Sequence, residues 1–300
     1  MTLVLYCGLN NFEEYMKFST KQNQAIQNGS LKRARLKRVA QKAASPGSKV
    51  TFPHTYIFSP PGLGKTFTVE QALDATGMPW HPISGNISMF AFGVALAVID
   101  YLDKTSPQIV INIDDCDEIL KNETNCNIMK NVLVGSKTYK YEKSLQSQLK
   151  NMSEIQQAAI EAHSTADKMG FEVPCDRFIF IFTSNFKLPS DDDVKDARER
   201  GLQKSVLMGH RNAIRSRCQT NDFDLEWEEQ WGWIADVVLN DGCLDSKLET
   251  VEEKTLLLDW MYNNWDSMTE RSIRTAEKMA DIMVEDPTGY RDTWEIDFLK

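Results

Sequence analysis

Residues 59–66, with the sequence Ser-Pro-Pro-Gly-Leu-Gly-Lys-Thr, constrain the fold more than any other part of the chain. They follow a short β-rich run at 55–58 and open a helix-like segment at 66–76. A glycine-rich loop in that place turns its backbone N–H groups around a phosphate, at the positive end of the next helix. The sequence therefore predicts a phosphate-binding loop, although Ser59 stands where the strict pattern has glycine.

Two side chains at the end of this loop have specific expected roles. Lys65 is expected to reach the β- and γ-phosphates of a nucleotide, and the Thr66 hydroxyl to hold Mg²⁺. The alternative, a chance Gly-Lys-Thr turn, leaves the preceding strand and following helix unexplained. The residues assigned to nucleotide binding are Pro61, Gly62, Leu63, Gly64, Lys65, Thr66 and Phe67.

Nearly continuous apolar runs indicate the fold class. They lie at 55–58, 108–113 and 177–182, and helix-like segments at 66–76 and 88–103 separate them. Runs of this length are typical of strands buried on both faces of a parallel sheet. The alternation predicts an α/β P-loop domain whose mostly parallel sheet is flanked by helices.

Two carboxylates follow the second apolar run. Asp114 and Asp115 end the sequence Ile-Val-Ile-Asn-Ile-Asp-Asp, at the edge of the sheet where ligands of such folds bind. We expect Asp114 to coordinate Mg²⁺ through water and Asp115 to orient or deprotonate the attacking water. The alternative is a pair of turn acids at a strand end.

The motifs PPGLGKT, IVINIDDCDEIL, FIFIFTSN, AIRSRCQ and SIRTAEK occur in the order found in AAA+ ATPases, which the chain resembles over residues 59–278. The resemblance implies binding and hydrolysis of ATP with Mg²⁺. It also implies that Asn185 is sensor 1, the polar residue that positions the water against the γ-phosphate.

The same resemblance assigns two arginines. The triplet Ser216-Arg217-Cys218 is similar to that of clamp-loader ATPases and makes Arg217 the arginine finger, which completes a neighbour's site. Arg215 is the competing candidate. Arg274 matches sensor 2 on the lid domain. A permanently charged, planar guanidinium suits the γ-phosphate oxygens. The alternatives are a surface ion pair for Arg217 and a solvated helix arginine for Arg274.

The chain departs from the family pattern in two places. Asp115 stands where the family usually has Glu, so its carboxylate is one methylene shorter. We expect that the site adjusts, that hydrolysis is slow, or that Asp117 or Glu118 helps. Residues 121–176 form a long insertion. Within it, the spacing of apolar residues over 145–159 predicts one amphipathic helix. Residues 137–143, basic and aromatic, are interpreted as an exposed strand or turn, with contact to a threaded strand as the alternative.

Three domains are expected: an N-terminal helical lead at 1–45, a nucleotide-binding α/β domain at 46–222 that includes the insertion, and a helical lid at 223–300. The breaker run 45–48 marks the first boundary. The lead carries basic residues between 32 and 42, interpreted as a solvated helix face. Contact with nucleic acid or with an acidic neighbouring subunit is the alternative. The lid is predicted to contain helices at 225–240, 251–265 and 271–285.

The segment 89–93, Met-Phe-Ala-Phe-Gly, comes after an expected strand between the runs at 55–58 and 108–113, where unfoldases of the family place an aromatic pore loop. The start of a buried helix is the preferred interpretation, because apolar residues continue to Ile99. If Phe90 and Phe92 are buried, remodelling of a protein by threading through a pore is excluded.

The net charge and the cysteine spacing indicate which partners and which cellular compartment to expect for the protein. The formal net charge of −9, from 34 basic and 43 acidic residues, argues against indiscriminate coating of nucleic acid. The six cysteines show no framework spacing, which suits a reducing compartment. No apolar run is long enough to span a bilayer. We expect a cytoplasmic protein without a membrane partner, in the host cytoplasm if the chain is phage-encoded.

These features lead to two functional hypotheses. The first is a homo-oligomeric ATPase, a ring or helical filament, that acts on a nucleic-acid or protein client; the chain resembles the single-module AAA+ ATPases of bacteriophages. The second is a nucleotide-dependent scaffold or switch that assembles on ATP and hydrolyses little, motivated by Asp115.

Overall fold

A computed structural model describes residues 18–45, 52–85, 87–115, 117–134, 137–143, 145–165 and 170–300. The chain divides into two compact units. One contains residues up to 36, residues 60–65 and residues 225–300, and the other contains residues 37–59 and 66–224. The breaker run predicted as a boundary lies largely outside the described residues, and the three domain limits drawn from the sequence remain predictions.

The described residues form seven strands and twelve α-helices. The strands are β1 (Thr55–Phe58), β2 (Trp80–Ser84), β3 (Ile109–Asp114), β4 (Thr138–Tyr141), β5 (Phe171–Pro174), β6 (Phe178–Ser184) and β7 (Gln219–Asp222). The helices are α1 (Thr20–Ala44), α2 (Lys65–Asp74), α3 (Met89–Leu102), α4 (Glu123–Leu133), α5 (Gln146–Leu149), α6 (Glu154–Ala162), α7 (Asp191–Glu199), α8 (Ser205–Arg215), α9 (Trp227–Asn240), α10 (Val251–Asn263), α11 (Ile273–Glu285) and α12 (Tyr290–Phe298).

Five strands form one parallel sheet in the order β2-β3-β6-β1-β7. Every residue of β3 and β6 is buried, as expected of central strands covered on both faces. The order places the carboxyl ends of β3, β6 and β1 side by side, with Asp114 paired to Thr183 and Phe58 paired to Ser184. The predicted parallel α/β fold and the helical C-terminal region are confirmed.

The insertion has its own structure. Strands β4 and β5 pair antiparallel, with Tyr139 opposite Val173. The single helix predicted over 145–159 is wrong: α5 ends at Leu149, and α6 begins at Glu154. The break has a local cause, because Ser153 accepts from the Gln156 amide while the Gln156 side chain accepts from the Ser153 amide, which starts a new helix.

The aromatic residues of the insertion and of α3 form a buried cluster. Tyr139, expected in an exposed strand or turn, is fully buried and donates a hydrogen bond to the Met89 carbonyl, 2.5 Å away. The ring is seated against Gly93, where an added Cβ would lie 2.1 Å from it. A contact with a threaded strand is therefore not available to Tyr139.

The pore-loop alternative at 89–93 is wrong for Phe92. Ser88 caps α3 by accepting from the Ala91 amide, so these residues are the first turn of a helix. Phe92 is completely buried, and the half-buried Phe90 packs on Tyr141 with ring centres 4.8 Å apart. The complete burial of Phe92 and the packing of Phe90 on Tyr141 argue against threading a client past them.

Helices α9 to α12 bury large aromatic side chains. Trp231 donates to the Leu258 carbonyl at 3.0 Å, and Trp294 donates to the Met279 carbonyl at 3.1 Å. Both indoles are fully buried, so each needs a partner for its N–H group. Trp260 packs edge-on against Trp294. The tryptophans thus join α9 to α10 and α11 to α12.

The N-terminal part of α1 packs on α9 in the same unit. A Cβ on Gly29 would lie 2.2 Å from the Gly232 carbonyl carbon, and one on Gly232 would lie 1.9 Å from the Ala25 carbonyl oxygen. This close crossing buries Arg33, which contacts Asp236 at 2.8 Å and also pairs with Asp241. The interpretation of the basic patch as a solvated face is therefore wrong for Arg33, because its side chain is buried. Its acidic partners belong to its own chain and not to a neighbouring subunit.

Within the part of the chain that the structure describes, no helix combines the length and the apolar character needed to cross a membrane.

Candidate nucleotide site

The predicted phosphate loop connects β1 to α2 and depends on two glycines. Gly62 and Gly64 have φ of 79° and 66°, a conformation that side chains disfavour. Space is also restricted, because a Cβ on Gly62 would lie 2.5 Å from the Ser272 Cβ and one on Gly64 would lie 2.9 Å from the Ile273 Cδ1. Both the backbone conformation and the space therefore demand glycine at 62, whereas at 64 the terminal methyl of Ile273 can shift and the backbone conformation is the main constraint.

A backbone hydrogen bond links this loop to α11. The Ile273 amide donates to the Gly62 carbonyl at 2.8 Å. Ser272 caps the helix by accepting from the Thr275 amide at 3.1 Å. Arg274, the predicted sensor 2, is exposed in this first turn. The structure thus places Arg274 directly after the residue that bonds to the phosphate loop.

Three oxygen-bearing side chains meet at the ends of α2, β3 and β6. The Thr66 hydroxyl donates to Asp114 Oδ2 at 2.7 Å, and the Thr183 hydroxyl donates to the other carboxylate oxygen. Asp114 is buried, as the last residue of β3. Hydroxyl and carboxylate oxygens are the ligands that Mg²⁺ prefers, usually with one or two carboxylates and the substrate phosphates. Thr66 and Asp114 therefore fit the metal role predicted for them.

The described residues contain no group of three or more His, Cys, Asp or Glu side chains that could hold a metal ion by themselves. A magnesium ion at Thr66 and Asp114 would accordingly depend on the phosphates of the nucleotide for further ligands.

Asp115 and Asn185 are brought together by neighbouring strands. Asp115 adopts φ of 49°, and its amide donates to the Thr183 carbonyl at 3.1 Å, so the chain turns as it leaves β3. Asn185 follows β6 and donates from Nδ2 to Asp115 Oδ1 at 3.0 Å. The candidate base and the candidate sensor 1 thus form one exposed hydrogen-bonded pair. The side chains of Asp117 and Glu118, named as possible helpers, lie outside the described residues.

The two candidate arginine fingers have different surroundings. Arg215 donates to the Leu188 carbonyl at 2.9 Å and lies 3.6 Å from Asp222. Arg217 donates to the Ala213 carbonyl at 2.5 Å, and its Nε is buried without a partner among the described residues. Burial raises the pKa of the adjacent Cys218 to about 12, so the thiol stays neutral. Arg215 is held by polar groups of its own subunit, whereas among the described residues the side chain of Arg217 hydrogen-bonds to the last turn of α8 alone.

Sequence reasoning missed three residues around the site. Thr183 was not identified because its role depends on β3 and β6 being neighbours. Ser272 was missed for a similar reason, since its contact with Gly62 joins distant segments. Glu70 could have been identified from the sequence, because it lies four residues after Thr66 and so on the same face of the helix. Burial and the charges of Asp114 and Asp74 raise the pKa of Glu70.

The parallel sheet, its flanking helices and the helical C-terminal region define a class of fold, the AAA+ P-loop fold. Comparison with protein families agrees, because residues 55–200 match the model described as ATPase family associated with various cellular activities (AAA). The match covers β1 to α7 and supports an ATPase of the AAA type. A search of curated proteins found no match.

Proposed function

We propose that the protein hydrolyses ATP at a site completed by a neighbouring copy of the same chain. The observation that carries the proposal is the pair of contacts at the ends of β3 and β6: Thr66 with Asp114, and Asn185 with Asp115. These contacts support the proposal because Asp114, a candidate metal ligand, and Asp115, a candidate base, are consecutive residues that each have a polar side-chain partner.

Each residue has a distinct role in this proposal. Lys65 binds the β- and γ-phosphates, while Thr66 and Asp114 hold Mg²⁺, which neutralises phosphate charge when bound. Asp115 accepts a proton from the attacking water. At the same time the water oxygen bonds to the γ-phosphorus, and the bond between the γ-phosphorus and the β–γ bridging oxygen breaks. Asn185 orients the Asp115 carboxylate and the water. Arg274 adds positive charge from the helical region.

Arg217 is the proposed trans-acting arginine. Arg215 already satisfies a backbone carbonyl and lies near Asp222, so its removal from that environment would leave the Leu188 carbonyl without this donor and Asp222 with Lys187, 3.8 Å away. Arg217 would exchange one bond to a carbonyl of its own helix for the phosphate of a neighbour. Contacts of this head-to-tail kind close into rings or propagate as helical filaments.

The proposed client is a nucleic acid or a protein, which the ATPase assembles or remodels. The resemblance to single-module phage ATPases suggests a role in phage DNA metabolism in a host cytoplasm. The fold itself does not specify the client. Threading past Phe90 and Phe92 is not proposed.

A second candidate is a nucleotide-dependent scaffold with little hydrolysis. It is favoured by the Asn185–Asp115 hydrogen bond. In this bond the side-chain amide of Asn185, the candidate sensor 1, donates to the Asp115 carboxylate instead of to a water molecule. In this alternative, ATP binding drives assembly, and the assembled state persists because the water is poorly activated. Steady-state ATPase activity of the native protein and of Asp115→Glu distinguishes the two candidates: robust native turnover excludes the scaffold.

Light scattering with and without Mg-ATP, together with ATPase assays, tests the intersubunit site. The proteins compared are the native protein, Arg217→Ala and the control Arg200→Ala. Arg200 is an exposed arginine paired with Asp196 at the end of α7. We expect ATP to assemble the native protein and the control, and Arg217→Ala to bind nucleotide but lose ATPase activity. A native protein that stays monomeric with ATP, or full ATPase activity in Arg217→Ala, contradicts the proposal.

A further inference from the structure

A concave pocket lies between α4, α7 and α8 and contains none of the residues assigned to the nucleotide. Its cavity of about 260 Å³ is lined by Lys130, Arg198, Val206, Gly209 and His210. This volume is slightly smaller than that of typical small-molecule sites, and larger than a single water molecule needs. Three of its five lining residues carry basic groups, in a chain whose net charge is −9.

The basic groups have no acidic partner in the described part of the chain. Lys130 Nζ lies 3.1 Å from His210 Nδ1, and Asn127 Oδ1 lies 3.0 Å from the same ring nitrogen. No ion pair joins Lys130 or Arg198 to a carboxylate among the described residues, although Lys195 and Arg200 on the same helix as Arg198 each pair with an acid four residues away. The cationic character of the pocket is therefore not neutralised locally.

Gly209 makes room for one of these cations. A Cβ at this residue would lie 3.3 Å from Nη2 of Arg198, which is tighter than most contacts of real side chains. The guanidinium of the exposed Arg198 therefore lies close to α8 at Gly209. Lys130 and Arg198 line the same concavity, where an anion would be attracted by both charges.

The other arginines on this face are already engaged. Arg211 donates to the Leu120 carbonyl at 2.9 Å and lies 4.5 Å from the ring centre of Phe186. Arg215 contacts Leu188 and Asp222, as described above. The available donors thus converge on one cavity and do not form the extended basic track that a nucleic-acid strand requires.

We infer that this pocket binds a small polyanion with a phosphate or pyrophosphate group, separately from the nucleotide site. Arg198 supplies a planar fork of donors and Lys130 a compact charge, a combination suited to phosphate oxygens. His210 lines the same pocket. The apolar Val206, half exposed at the rim, allows a small organic group to accompany the phosphate. The inference does not depend on ATP hydrolysis.

Calorimetric titration of the full chain with inorganic pyrophosphate tests the inference, with saturating ADP present to fill the phosphate loop. We expect binding in the native protein and in Lys65→Ala without ADP, and weakening of about tenfold or more in Lys130→Gln/Arg198→Gln. The matched control Lys195→Gln/Arg200→Gln removes the same charge from exposed ion pairs and should bind as the native protein does. Equal melting temperatures of the two double variants confirm that folding is retained.

The outcomes separate the possible sources of the anion. A phosphomonoester such as ribose 5-phosphate that binds more tightly than inorganic phosphate identifies an organic ligand, and the reverse order identifies a free anion; either supports the pocket. Equal weakening in both double variants, or binding unchanged in Lys130→Gln/Arg198→Gln, overturns the inference. Tighter, pocket-dependent binding of a single-stranded oligonucleotide than of pyrophosphate also overturns it, in favour of a nucleic-acid contact. Loss of ATPase activity by Lys65→Ala bears only on the proposed function.

Discussion

The side-chain amide of Asn185 donates a hydrogen bond to the carboxylate of Asp115, 3.0 Å away, across the ends of two neighbouring strands. Asp115 leaves β3 in a left-handed conformation, and Asn185 leaves β6 one residue after Ser184. The shorter carboxylate that replaces the usual Glu is therefore held in place by the residue expected to orient the water. The pair acts as one unit in the proposed reaction.

Asn185→Ala should lower kcat for ATP hydrolysis by about 100-fold, as expected when one preorganised donor is lost, while the affinity for ATP changes little. Steady-state ATPase assays and nucleotide titrations measure the two quantities. The control is Asn221→Ala, which removes an exposed amide bonded to the Gln219 carbonyl on β7. A kcat equal to that of the control would show that the Asn185–Asp115 pair takes no part in catalysis.

Gly62→Ala should destabilise the protein more than Gly77→Ala, although both glycines have positive φ. An alanine at 77 meets nothing within 4 Å and suffers only the backbone strain of about 1 kcal/mol, whereas one at 62 also collides with Ser272. The free energy of unfolding in denaturant measures the difference. Similar losses in both variants would mean that the start of α11 does not restrict the phosphate loop.

Local patterns in the sequence were sufficient for the phosphate loop and the central strands. The loop needs only neighbouring residues, and β3 and β6 are continuous apolar runs because both of their faces are buried. Thr183 could not be identified, because its bond to Asp114 requires knowing that β6 lies beside β3. The β4–β5 pair was missed for the same reason, since about 30 residues separate Tyr141 from Phe171 and no turn signal joins them.

Arg33 shows a different limit of sequence reasoning. A run of basic residues is usually a solvated face, but Gly29 and Gly232 let α1 and α9 approach so closely that one member of the run becomes buried. Neither glycine lies within a recognisable motif. The pairing of Arg33 with Asp236 therefore follows from helix packing across more than 200 residues, and only the structure shows it.

Arg33→Met should cost about 3–5 kcal/mol of folding free energy, because it leaves the buried Asp236 without its cation. Arg38→Met, an exposed change of the same kind on α1, should cost less than about 1 kcal/mol. Denaturant unfolding measures both values. The double variant Arg33→Met/Asp236→Leu should recover only the part of the loss that comes from Asp236, because Asp241 still lacks its partner Arg33. An Arg33→Met variant as stable as Arg38→Met would contradict the buried pair.

His54 should make the stability of the protein depend on pH between about 6.5 and 4. Its Nε2–H group donates to the Leu133 carbonyl and its Nδ1 accepts from the Phe180 amide, and burial lowers its pKa from 6.5 to about 4. The unfolded state binds the proton first as the pH falls, so stability is complete above pH 6.5 and decreases by up to about 3 kcal/mol towards pH 4. Denaturant unfolding over this range should show a flatter profile for His54→Gln than for the native protein. The half-buried His81→Gln serves as the control and should keep the native slope.

A mixing experiment gives the most direct prediction about the intersubunit site. Arg217→Ala retains its own water-activating pair, and Asp115→Asn retains its own arginine, so each is expected to be inactive alone for a different reason. If Arg217 acts on the neighbour's nucleotide, mixed assemblies contain some interfaces with an intact Asp115 from one subunit and an intact Arg217 from the other. Equal mixing should then restore about a quarter of the native ATPase rate when subunits assort at random, because only one of four adjacent pairs is complete.

Mixing Arg217→Ala with the double variant Arg217→Ala/Asp115→Asn is the control and should restore nothing. An inactive mixture of the two single variants, with co-assembly verified by light scattering, would place Arg217 in its own subunit's site or outside any site.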